Sequence, residues 1–208
     1  MLTLFHAPLS RSTTIVTLIE EMGITAEIDL RYISIPRYDG TGARDPANPH
    51  PEGKVPLLVH DGAEVWERAA IITYLADIYP DAAAIRPAGH PERGAFLSWL
   101  SYYGSVAEPV LLLQAADITH PFITSALRGP DEVAARLDAA LSGGQDYILK
   151  SGFSAVDLLL ASPFSWFPAA IPDIAAVKAW AARVAARPAA VAVFQRDQAQ
   201  LAAMNTEA

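Results

Sequence analysis

The sequence predicts two domains of different class: an α/β domain on a mixed four-stranded sheet, then an all-helical domain. Three observations carry this. Through residue 79 the apolar pattern runs strand, helix, strand, connection, strand, strand, helix. From Pro91 onward no convincing strand appears, and only the helical period recurs. Between them, residues 80–90 hold Pro80, Pro87 and Gly89, the punctuation of a linker. The expected boundaries are 1–79, a linker at 80–90, and 91–208.

Leu2-Thr3-Leu4-Phe5-His6 alternates and is short, as a strand does. Ala7-Pro8 breaks it. Ile15, Leu18, Ile19 and Met22 then recur at helical spacing, and Gly23 stops the helix. Residues 26–33 alternate again. A strand, a helix and a strand within about 30 residues form a unit whose strands run parallel. Residues 34–52 are rich in Pro, Gly, Asp and Asn and read as an irregular connection, with at most a weak helix over residues 41–45. A third strand is expected over 56–60, a two-residue hairpin turn at Asp61-Gly62, a fourth strand over 64–66 and a helix over 67–77.

In the second half, Pro91-Glu92-Arg93 opens a long helix running to about Ala116. Pro109 should kink or divide it, because proline removes a hydrogen bond and clashes with the preceding turn. Residues 131–141 form a shorter helix, ended by Gly143-Gly144. Ser154 and Asp157 make a variant capping box ahead of Leu158-Leu159-Leu160, with Phe153 placed to staple against Leu158. Residues 172–186 and 188–203 are two more helices, each opened by a proline.

Composition narrows the function. Hydrophobic residues make up 52%, enough for a substantial core, and the net charge is −8. An acidic chain argues against nucleic acid and against anionic membrane surfaces. The absence of cysteine removes disulfides, thiolate metal sites and a cysteine nucleophile, and suits a reducing compartment. No signal peptide is recognisable, and no run approaches the roughly 18 apolar residues of a membrane span. A cytoplasmic protein is expected. His6, His50, His60, His90 and His120 show no metal-ligand spacing, so no metal is expected.

The most informative stretch is Glu52-Gly53-Lys54-Val55-Pro56-Leu57-Leu58. Gly53 permits a turn, and Val55-Pro56 enters an apolar strand. Proline donates nothing to a ladder, so it belongs at a strand's first residue or on an edge. One backbone edge there is left to pair with an extended peptide.

Four features in this order resemble the cytosolic glutathione S-transferases of the bacterial kind, over nearly the whole chain. They are Pro8-Leu9-Ser10-Arg11-Ser12, Gly53-Lys54-Val55-Pro56-Leu57, Glu67 opening a helix that ends Tyr74-Leu75, and the capping box at Ser154 and Asp157. The resemblance implies a thioredoxin-like first domain, glutathione as co-substrate and a two-fold homodimer. It implies a transferase that activates the glutathione thiol for attack on a small hydrophobic electrophile. Two other functions suit the same fold: a glutathione-binding or scaffold member without chemistry, and a glutathione-dependent isomerase or dehalogenase.

The family's site residues carry over by motif. The backbone of Val55, before Pro56, would pair with the cysteinyl backbone of glutathione, strand addition in miniature. Lys54 would meet the glycyl carboxylate, and Glu67 the γ-glutamyl end. Arg68 stands where the family usually has Ser; it could hold that carboxylate bidentately, crowd the site or turn toward a dimer partner. Ser10, two residues after Pro8, would donate to the thiolate, with Ser12 as the alternative; Ser10 would also suit an ordinary N-cap. His6 reads as a strand-end residue rather than a base. The electrophile site is expected between the domains, with Ala7, Leu9 and Ser10 as floor and Trp99, Tyr102, Tyr103 and Val106 as candidate wall.

Overall fold

A computed structural model describes residues 1–206; the last two positions of the expected helical domain lie outside the described residues. Four strands form one sheet in the order β2-β1-β3-β4. They are β1 (Leu2–His6), β2 (Ile28–Tyr32), β3 (Leu57–His60) and β4 (Ala63–Trp66). β1 runs parallel to β2 and antiparallel to β3, which is antiparallel to β4. This is the expected mixed sheet, in a thioredoxin-like domain. Period-two alternation puts Leu2, Leu4 and His6 on one buried face of β1. Asp61 and Gly62 both have positive φ, 50° and 86°, the conformation a tight two-residue hairpin demands.

Helix α1 (Thr13–Met22) follows β1 and buries Ile15, Val16, Leu18 and Ile19. It ends at Gly23, whose φ of 73° is the left-handed cap that glycine adopts without strain. Helix α2 (Arg68–Ile78) follows β4 and buries Ile71, Ile72 and Leu75. The second strand is shorter than its alternation suggested, because residues Thr25–Glu27 turn as a 3-10 helix before it.

The chain divides into two compact units, one from Met1 to Ile85 joined by the chain from Pro188 onward, the other Arg86–Arg187. The sequence reading grouped residues 188–203 with the helical half. In the structure the last helix, α10 (Pro188–Thr206), packs on α1 instead. Its buried Val193 and Asp197 lie four residues apart, on one helix face. Arg196 Nη1 donates to Glu20 Oε1 of α1 at 2.6 Å.

The other unit is helical. Helices α3 (Arg93–Tyr102) and α4 (Glu108–Ala115) are separated by a π-helical turn, Tyr103–Ala107. The division expected at Pro109 therefore falls just before it. A proline cannot serve the preceding turn, and wider i→i+5 pairing relieves the crowding. Two short helices, α5 (Pro121–Leu127) and α8 (Pro163–Trp166), add to those the sequence predicts. Helices α6 (Pro130–Leu141) and α7 (Ala155–Ala161) both pack on α9 (Ala175–Ala185), whose Trp180 is fully buried.

The capping box forms and does more than cap. Asp157 Oδ2 accepts from the Ser154 backbone N–H at 2.9 Å. Its Oδ1 accepts from the Ile148 N–H and the Trp180 indole N–H, both at 2.9 Å. One buried carboxylate so ties the approach to α7, its N-terminus and α9 together. Burial pushes the Asp157 carboxyl above its ordinary range, more than these hydrogen bonds lower it. Phe153 meets the Tyr147 ring edge-on at 5.5 Å, and the Arg187 guanidinium lies 3.4 Å from its centroid.

Candidate active site

The loop between β1 and α1 is held from two sides. Leu9 has φ of 50°, an uncommon conformation for a branched residue and one that surrounding contacts must enforce. Arg37 Nη2 donates to the Pro8 carbonyl at 2.6 Å. From the other side, Asp197 Oδ2 accepts from the Leu9 N–H at 2.9 Å and from the Thr13 hydroxyl at 2.6 Å. Ser10 N–H donates to Thr13 Oγ1 at 3.1 Å, closing the turn.

The two serines do different things. Ser12 takes the N-cap position of α1, but its side chain makes no cap bond. It is fully buried and turns back toward β1, with Oγ 2.7 Å from His6 Nδ1 and accepting from the Ala7 N–H at 3.2 Å. Ser10 is half-buried. Its Oγ lies 2.8 Å from Ser12 Oγ, donates to the Ala7 carbonyl at 2.7 Å and accepts from the Ser12 N–H at 3.2 Å.

His6 ends β1 as expected, yet it is central to this loop. Its Nε2 lies 3.0 Å from Asp197 Oδ1, with both side chains fully buried. Burial raises the Asp197 carboxyl, but the hydrogen bonds from His6, Thr13 and Leu9 bring it below the ordinary range. An ionised carboxylate only accepts, so Nε2 carries a proton. Asp197 was missed because it lies 191 positions from His6. Its one signal in the sequence is an aspartate four residues after Val193, on an otherwise apolar face.

A second set of polar contacts positions the Val55 segment. Asn48 and His50 are buried in the irregular connection. Asn48 Nδ2 donates to the Lys54 carbonyl at 3.1 Å, and its Oδ1 accepts from the His50 N–H at 3.1 Å. His50 Nδ1 accepts from the Glu52 N–H at 3.0 Å, and the His50 carbonyl from the Gly53 N–H at 2.8 Å. Gly53 has φ of 66°, a conformation that calls for glycine. The Val55–Pro56 bond is cis, and the β3 ladder begins only at Leu57, which leaves Val55 outside it.

Residues 1–77 match the family described as glutathione S-transferase, N-terminal domain. A solved sphingomonad glutathione S-transferase complexed with glutathione superposes with a TM-score of 0.71, at 27% identity, covering 94% of this chain and 98% of that one. A probable glutathione S-transferase GSTU6 of Oryza sativa subsp. japonica is 27% identical over 168 residues, 71% of this chain and 70% of that protein. The chain is similar to glutathione S-transferases, through the family match over residues 1–77 and through its likeness to these proteins. Glutathione S-transferase GstA of Escherichia coli O157:H7 is 41% identical over a shorter stretch of 54 residues, 26% of this chain and 27% of that protein's length.

The other sequence-predicted residues fall as follows. Lys54 is exposed and paired with Glu52, whose hydrogen bond and charge raise its ammonium above the ordinary range; Glu67 adds to this and Arg11 opposes it. Glu67 is exposed at the N-cap of α2 with φ of 65°, a strained conformation for a residue with a Cβ. Arg68 begins α2 and is buried, not displayed at the surface. Pro56 and Ala7 are buried; Val55 and Leu9 are half-buried.

In the helical unit, Trp99 and Tyr102 meet edge-on at 5.5 Å, and the Arg136 guanidinium lies 5.1 and 4.7 Å from their centroids. Burial raises the Tyr102 phenol, which Arg136 partly offsets. Tyr103 is buried in the helical core, and Val106 is half-buried in the π turn. Among the described residues no cluster of His, Cys, Asp or Glu is arranged to hold a metal ion, and no helix is long and apolar enough to cross a membrane.

Proposed function

We propose that this protein binds glutathione and presents its thiolate to a small hydrophobic electrophile, with Ser10 as the hydroxyl that meets the sulfur. The observation that carries the proposal is the placement of Ser10. Its half-buried hydroxyl stands at the N-terminal approach to α1, fixed by Ala7 and Ser12. A free thiol titrates near 8.5, and a hydrogen bond to the thiolate together with a helix N-terminus lowers that value. The Val55 backbone, free of the β3 ladder, would pair with the cysteinyl unit. The α2 N-terminus and Glu67 would face the γ-glutamyl end. Lys54 would meet the glycyl carboxylate by exchanging Glu52 for it. The sphingomonad relative's glutathione complex supports glutathione as co-substrate. The resemblance further supports a homodimer.

The test is turnover of glutathione with a generic chloronitroarene. Ser10→Ala should lower kcat about 100-fold, the scale of a lost proton-transfer or thiolate-stabilising group, while retention on glutathione resin persists. An unchanged kcat contradicts the assignment to Ser10. Retention without any wild-type turnover contradicts the conjugating activity and leaves a glutathione-binding protein.

A further inference from the structure

The hydrogen bonds around Ser10 form a continuous chain: Ser10 Oγ to Ser12 Oγ at 2.8 Å, Ser12 Oγ to His6 Nδ1 at 2.7 Å, His6 Nε2 to Asp197 Oδ1 at 3.0 Å. Only its Ser10 end is not fully buried. We propose that this chain is a proton relay, and that His6, anchored by Asp197, receives the proton of the glutathione thiol. The proposal rests on the reading that places the thiol at Ser10.

Proton counting makes the chain directional. Asp197 only accepts, so it holds His6 with the proton on Nε2 and Nδ1 as an acceptor. The Ser12 hydroxyl then donates to Nδ1 at 2.7 Å, nearer than its other acceptor, the Ala7 carbonyl at 3.2 Å. Its lone pairs are left for the Ala7 N–H and for the Ser10 hydroxyl. In this state the Ser10 proton points inward, to Ser12 or to the Ala7 carbonyl. A thiol at Ser10 therefore finds a lone pair, to which it can donate.

The step balances without any further reactant. The S–H bond breaks and its proton passes to Ser10 Oγ. The Ser10 proton passes to Ser12 Oγ, and the Ser12 proton to His6 Nδ1, where a new N–H bond forms. The products are a thiolate and an imidazolium paired with Asp197. Each hydroxyl is now reversed: Nδ1–H donates to Ser12, Ser12 to Ser10, and Ser10 to the thiolate. The titratable group facing the ring from β2 is Tyr32, whose ring centroid lies 5.5 Å away. On α10, Arg196 is engaged with Glu20 of α1. His6 and Asp197 act through the two serines; neither need touch the substrate.

The proposal is tested on the full chain by following glutathione binding near neutral pH in two ways. Ultraviolet absorbance counts thiolates formed. Calorimetry in buffers of different ionisation enthalpy counts protons released. The wild type should form thiolate while releasing fewer protons than thiolates, because His6 keeps them. Ser12→Ala and His6→Gln should raise the apparent thiol pKa by about one unit and release as many protons as thiolates. Ser12→Thr, which restores a hydroxyl, should return both readouts toward wild type. Where His6→Gln does not fold, Asp197→Asn takes its place.

Equal numbers of protons and thiolates in the wild type would overturn the relay. So would a raised thiol pKa in Ser10→Ala with unchanged values in Ser12→Ala and His6→Gln; Ser10 would then stand and the relay fall. A thiol pKa unmoved by Ser10→Ala, or no thiolate in the wild type, would remove the underlying reading as well.

Discussion

Two buried aspartates organise the two units, and they do so differently. Asp157 accepts two backbone N–H groups, the Trp180 indole N–H and, at 3.3 Å, the Ser154 hydroxyl. Asp197 accepts one backbone N–H and one hydroxyl, and its other oxygen faces the His6 imidazole. Both side chains are fully buried. Every Asp157 partner is committed to the fold, whereas the His6 ring passes the contact on through Ser12 to half-buried Ser10. The same residue type in the same degree of burial can therefore staple a fold or polarise a site. What its partners touch next decides which.

The largest effect should come from emptying the first network. Asp157→Ala leaves three buried N–H groups without an acceptor, and should lower unfolding free energy by about 3 kcal/mol in a denaturant titration. The kcat of the molecules that remain folded should be unchanged. A loss of kcat without a loss of stability would erase the distinction between the two aspartates.

The pH dependence of stability should then separate them by sign. Asp197 is held below the ordinary carboxylate value near 3.8, so its stabilisation is present above that value and is lost as pH falls through its folded pKa. Asp157 is held above that value, so the folded state binds its proton more tightly, and stability is lost as pH rises from about 3.8 through the raised pKa. Each unit of separation is worth about 1.4 kcal/mol. Between about pH 3 and 5, the stability advantage of wild type over Asp197→Asn should grow as pH rises. Its advantage over Asp157→Asn should shrink from acid toward neutral pH. Equilibrium unfolding across that range checks both slopes, and slopes of one sign would contradict the contrast.

The same pair shows what the sequence made legible. Ser154 and Asp157 are three residues apart and precede an apolar run, so local chemistry announces their bond. The sheet was legible for a similar reason: Leu2 to His6 alternates, and Asp61-Gly62 has one natural conformation between two strands. Asp197 and His6 are brought together only by the docking of α10 on α1, a tertiary event with no local signature. The alanine-rich face of that helix resembles its neighbours in the helical unit, so the sequence pattern alone does not separate it from them. Asn48 and His50 hid in a proline-rich connection, where irregular backbone follows no period. The serines illustrate a subtler limit. Spacing placed both Ser10 and Ser12 near the helix start, but only folded geometry distinguishes a buried hydroxyl turned to an imidazole from a half-exposed one.

The most direct measurement is a crystal structure with glutathione bound. The expected result puts the sulfur within hydrogen-bond reach of Ser10 Oγ, the cysteinyl backbone paired with Val55, and Ser12 still bonded to His6. A sulfur lying away from Ser10, with the tripeptide unpaired from Val55, would contradict the site proposed for this protein.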